Sequence, residues 1–186
     1  EVGRRSVLKT RVYARSDPGI AEHEIVHAYC SQVFGTGGPD WYKEGMAEMA
    51  CHHRTRRRGV WCPRKVIHYL QNGPRRGLDQ IVGDGKFTAP ILASFVRLAD
   101  GRDDAPGDAT NAGNKWHRSD DDAVRNAKQS YYWSWALCHL LCNNANYNNR
   151  FRALGRGYLL RQDIHFRQVF ASMYDEIEFE LEQFLK

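Results

Sequence analysis

Apolar positions recur along most of this chain at three- and four-residue spacing, the period of a helix with one buried face. The first such stretch has Ile20, Ile25, Val26 and Tyr29 as its apolar positions. Ser16-Asp17-Pro18-Gly19 forms the turn that launches it, and Pro18 suits a first helical position. Phe34-Gly35-Thr36-Gly37-Gly38-Pro39 reads as a helix stop and turn. A second helix follows over Asp40–Ala50, with Asp40 as its predicted N-cap. Residues 64–72 predict a short helix ended by Gly73-Pro74, and Leu78–Val82 a short helix or turn. Ile91, Leu92, Phe95, Val96 and Leu98 suit a helix within 90–99. Longer helices are predicted over 123–143, 146–161 and 165–186. Only Ser6–Arg15, with its β-branched residues, reads as a strand. Residues 100–122 are turn-rich and predict a long loop, either a lid or a mobile insertion. Asp120, Asp121 and Asp122 within it lack the spacing of an EF-hand calcium loop. The expected fold class is mainly α (α+β), with residues 1–62 as strand and helix pair and 63–186 as a helical lobe.

Two of these helices carry chemistry. His23-Glu24-Ile25-Val26-His27 places two histidines four apart, so both imidazoles share one helix face and reach one point. Two neutral imidazoles suit zinc, and a catalytic zinc needs a third protein ligand while keeping a fourth position for water. On the second helix Glu44 and Glu48 are also four apart. One of them reaches the metal, while the other hydrogen-bonds a ligand histidine and sets its tautomer.

This arrangement, His23-Glu24-x-x-His27 followed by Trp41-x-x-Glu44-Gly45-x-Ala47-Glu48, resembles the gluzincin metallopeptidases, and among them the bacterial peptidase MA-like group. The likeness is specific over 21–50. It is looser over 128–160, where Tyr131-Tyr132-Trp133-Ser134-Trp135-Ala136 is similar to a segment of that group. The resemblance implies Glu44 as the third ligand of one zinc ion, Glu48 as partner of a ligand histidine and Glu24 as general base. It implies an oxyanion donor on a later helix, for which Tyr131 is the candidate and Tyr132 and His139 the alternatives. It also implies a strand edge before the metal helix on which a peptide or protein substrate lies. The whole of 1–186 is then one catalytic domain. Because gluzincins carry a sheet upstream of that helix, the expectation is a domain excised from a longer chain or a mature fragment. The expected setting is secreted or cell-envelope.

Charge and cysteine content change this picture little. Among 186 residues, 27 are Lys or Arg and 22 Asp or Glu, a net charge of +5. The densest basic run, His52-His53-Arg54-Thr55-Arg56-Arg57-Arg58, reads as a solvated loop, since no nucleic-acid module accompanies it. An anion- or nucleic-acid-binding domain built on that run is the alternative, as is a zinc-containing module without turnover. The intact Glu24 speaks against the latter. No apolar run is long enough to span a bilayer. The five cysteines, Cys30, Cys51, Cys62, Cys138 and Cys142, show no paired Cys-x-x-Cys spacing. Cys30 and Cys51 sit near the ends of the two metal helices, where a bridge is conceivable, but buried free thiols are the expectation.

Overall fold

The structure, a computed structural model, describes residue 12 and residues 18–52, 64–83 and 129–184. Among these the chain is mainly helical, with no strand. Several expectations lie outside the described residues: the strand at 6–15 apart from Val12, the basic run beyond His52, the segment 90–99 and the loop 100–122 with its three aspartates. Cys62 lies outside them as well.

The first helix, α1, spans Pro18–Phe34, and α2 spans Asp40–Cys51. The turn between them needs glycine twice. Gly35 has φ 69° and closes α1 by donating its N–H to Ser31 O at 3.0 Å. Gly38 has φ 84°, and a Cβ there would sit 3.0 Å from Tyr158. The carbonyl of Gly35 accepts from Arg161 Nη2 at 2.9 Å, tying the turn to a distant helix end. Pro39, not Asp40, takes the N-cap position, with φ −65° and ψ 155°. The proline ring fixes the extended entry, which leaves Asp40 in the first turn. There its carboxylate meets Lys43 Nζ at 2.8 Å and sits at the favourable end of the helix dipole.

Two short helices follow, α3 over Arg64–Asn72 and α4 over Leu78–Val82. Each buries one apolar ridge, Val66 and Leu70 on α3, Leu78 and Ile81 on α4. The next helix, α5, is described from 129 to 143. Trp133, Trp135, Ala136, Leu137, Cys138 and Leu141 are all buried on it. Such burial on every side marks a central helix rather than a surface one. Helix α6 spans Asn148–Leu159 and buries Phe151, Leu154 and Tyr158, one ridge at spacings of three and four. One hydrophobic core joins α2 through the last helix.

The segment after 165 departs from the expected single helix. It forms α7 over Phe166–Val169, a 3₁₀ turn over Ala171–Met173 and α8 over Tyr174–Phe184. Buried Phe166, Phe170, Ile177 and Leu181 fall within about 60° of one another on an ideal helix, which is why the pattern reads as unbroken. Tertiary contacts override it. The chain leaves helical geometry at Phe170, with φ −110° and ψ 16°. Arg167 then lies over the Tyr174 ring, 4.7 Å from its centroid, and both side chains engage Asp79 of α4.

The apolar ridge of α1 also behaves unexpectedly. Ile20, Ile25 and Tyr29 are exposed, as is Val33, and Val26 is half-buried. Residues two apart point about 200° from one another on a helix. A helix that turns His23 and His27 towards α2 therefore turns Ile25 and Tyr29 away from it.

Candidate metal centre

Helix α1 packs on α2, and the contact between them is polar at its middle. Trp41 anchors α2 in the core, its ring edge-on to Phe166 at 5.4 Å and to Tyr42 at 5.8 Å. With Trp41 held, the residues one turn on, Glu44 and Gly45, are buried too. Gly45 matters because α5 crosses there. A Cβ at Gly45 would lie 2.5 Å from both Ser134 O and Cys138 Sγ. That close approach sets α5, and Tyr131 with it, beside the histidines of α1.

The three proposed ligands converge. His23 Nε2 and His27 Nε2 are 3.0 Å apart. Glu44 Oε2 lies 3.1 Å from His27 Nε2 and 3.3 Å from His23 Nε2. Tetrahedral zinc with bonds of 2.0–2.1 Å to nitrogen and oxygen keeps its ligand atoms about 3.3 Å apart. The triangle therefore already has nearly the edges that a zinc ion requires. Nitrogen and carboxylate oxygen are also the donor types zinc accepts.

Around this triangle the remaining polar atoms are directed. Glu48 Oε1 lies 3.1 Å from His23 Nδ1, so that nitrogen donates to the carboxylate while Nε2 faces His27 and Glu44. Glu44 keeps its other oxygen, Oε1, 3.5 Å from Lys43 Nζ, and Lys43 is itself held by Asp40. The buried Nδ1 of His27 has no hydrogen-bond partner among the described residues. The charges are coupled accordingly. Burial pushes the Glu44 carboxyl up, but contacts with His23 and His27 outweigh it and hold it down at about 2. Burial likewise pushes the Glu48 carboxyl up, but contacts with His23 and His52 outweigh it and hold it down at about 2. His23 is pushed down by burial and raised further by Glu44 and Glu48, to about 9.

Tyr131, Tyr132 and His139 have different surroundings. The Tyr131 ring stands edge-on to His23, with centroids 5.8 Å apart. Burial first, then the charges of Glu44, Glu48 and Glu24, push its phenol well above the usual range, so it stays a donor at any ordinary pH. Glu24 is half-buried on the helix turn of His23, close enough to Tyr131 to contribute to that shift. Tyr132 turns away and packs edge-on against Tyr69 at 5.1 Å. His139 lies two turns further along α5, between Trp135 at 5.0 Å and Phe184 at 5.5 Å, and its burial lowers its basicity. It is a core histidine.

The sequence assigns no role to Lys43, gives Gly45 only as part of the resembling motif, and places His52 in a solvated basic loop, whereas His52 is half-buried with its Nε2 3.2 Å from Glu48 Oε2. The i,i+3 pairing of Asp40 with Lys43 was the available signal for the first. Nothing in the one-dimensional pattern announces that a second backbone passes over Gly45. Cys30, Cys51, Cys138 and Cys142 form no disulfide, so Cys30 and Cys51 are not bridged. Among the described residues no helix is long and apolar enough to cross a membrane.

No family model matches this chain, and no curated protein or solved structure does either. The class of the site therefore rests on its own geometry.

Proposed function

We propose that the chain is a zinc-dependent metallopeptidase that hydrolyses peptide bonds with water, in the manner its resemblance to gluzincins implies. The observation that carries the proposal is the triangle of His23 Nε2, His27 Nε2 and Glu44 Oε2, with edges of 3.0, 3.1 and 3.3 Å. These three side chains would hold the zinc. Once bound, zinc supplies a Lewis acid that lowers the pKa of a water towards neutrality.

The protein's own residues supply the rest. Glu24, beside His23, takes the water's proton as general base and passes it to the departing amine. Tyr131 stays protonated and offers its O–H to the oxyanion that develops on the attacked carbonyl. Glu48 keeps His23 in one tautomer, and Lys43 steadies the outer oxygen of Glu44.

The test compares wild type with Glu24→Gln. Zinc content by elemental analysis is expected to be the same in both. Cleavage of a peptide library is expected only in wild type, and to stop when a chelator is added. A loss of about 10²–10⁴ in rate is the ordinary contribution of a general base. Turnover that survives Glu24→Gln, or that ignores the chelator, overturns the proposal. Zinc binding without any cleavage would leave a metal-containing binding module.

A further inference from the structure

One turn beyond the metal triangle, α2 ends in a second group of metal-ligating side chains, Glu48, Cys51 and His52. We propose that these three residues hold a second divalent cation of the zinc class, separate from the one at His23, His27 and Glu44. Each offers one ligand atom, and the three atoms lie within 4.8 Å of one another. His52 Nε2 and Glu48 Oε2 are 3.2 Å apart, close to the edge length of tetrahedral zinc. Spacings of three and four place Cys51 and His52 on the same helix face as Glu48.

The donor set is chemically apt. Thiolate, imidazole and carboxylate together select a borderline cation rather than calcium or magnesium. Charge is apt as well, because a Glu48 carboxylate and a Cys51 thiolate together neutralise a dication. A neutral second centre adds little repulsion to its neighbour. Binding releases the Cys51 thiol proton to solvent as the S–metal bond forms, with no change of oxidation state.

Glu48 links the two centres. Its Oε1 is 3.1 Å from His23 Nδ1 and its Oε2 is 3.2 Å from His52 Nε2. A carboxylate has lone pairs enough for both. A histidine folding back onto the glutamate four residues earlier accounts for the second contact by itself. It does not account for a thiol on the same turn whose sulfur lies within 4.8 Å of both other ligand atoms.

The experiment uses the full chain, reduced, stripped of metal and titrated with Co(II) alone. Two equivalents are expected, one of them accompanied by a thiolate-to-cobalt charge-transfer band. Cys51→Ser should lose the band and one equivalent, and His52→Asn should lose that equivalent too. His23→Ala/His27→Ala should keep the band and one equivalent. A single equivalent without the band, or a band that survives Cys51→Ser, overturns the second site. A single equivalent with the band, unchanged in the double histidine variant, would overturn the first site instead. Loss of the band in that double variant would show that the second centre is not separate.

Discussion

At the scale of the residue, the two carboxylates of α2 have divided their work by position. Glu44 Oε2 faces both imidazole Nε2 atoms, whereas Glu48 faces the far nitrogen of His23. Glu44→Gln is therefore expected to abolish stoichiometric zinc binding at this triangle. Glu48→Gln should weaken it by about 10–100-fold, the usual effect of removing a ligand's supporting partner. Competition with a chromophoric chelator measures both, and the reverse order would exchange their roles. Tyr131→Phe keeps the ring beside His23 and removes only the O–H. It is expected to lower kcat by about 10²–10³ with zinc content unchanged, as for loss of one oxyanion donor. An unchanged kcat would end its candidacy. The shared face of His23 and His27 was legible in sequence because a four-residue spacing on a helix already dictates it. The choice between Tyr131, Tyr132 and His139 was not, since adjacent or two-turn neighbours on α5 differ only in what packs against them.

At the scale of the element, the crossing of α2 and α5 governs the site. Gly45 is the residue that permits it, because Ser134 O and Cys138 Sγ occupy the space a side chain needs. Ser134 O is backbone, which cannot swing aside. Gly45→Ala is expected to cost about 1–3 kcal/mol in folding stability by overpacking. It should also push Tyr131 away from His23, so kcat falls while the peptide KM changes less. Denaturant melts and steady-state kinetics on one preparation check both effects. A variant as stable and as active as wild type would show that the crossing tolerates a Cβ. The helices themselves were largely readable, α3, α4 and α6 within two or three residues of expectation. The break at Phe170 was not. Four buried positions in helical phase read as one helix, and only the contacts of Arg167 and Tyr174 with Asp79 reveal the interruption.

At the scale of the whole molecule, Asp79 joins α4 to the pair α7 and α8, which are far from it in sequence. Its carboxyl is held below the usual range by the Tyr174 hydroxyl first and Arg167 second. A carboxyl favoured in its charged form by folding stabilises the protein fully above its ordinary pKa. That contribution is lost as pH falls through the lower folded value. Asp79→Asn is thus expected to lower Tm at pH 6, with the difference from wild type narrowing as pH falls below about 4. A difference that persists unchanged at pH 2 would mean that packing rather than charge holds the three helices together. The group is exposed, so salt should weaken the effect as well.

The sequence by itself determined the side-chain types at the proposed metal site, their helical phase and the mainly helical class. These follow from local rules: a fixed residue period, proline and glycine at helix ends, and the chemistry of each side chain. Only tertiary structure decided that Glu44 closes the triangle while Glu48 stands behind it. It alone decided that Tyr131 rather than Tyr132 or His139 meets His23, and that the apolar ridge of α1 turns away from α2. Each of those outcomes depends on how two helices cross. A crossing is set by the summed packing of residues distant in the chain, among them Gly45, Ser134 and Cys138, and no local period encodes it.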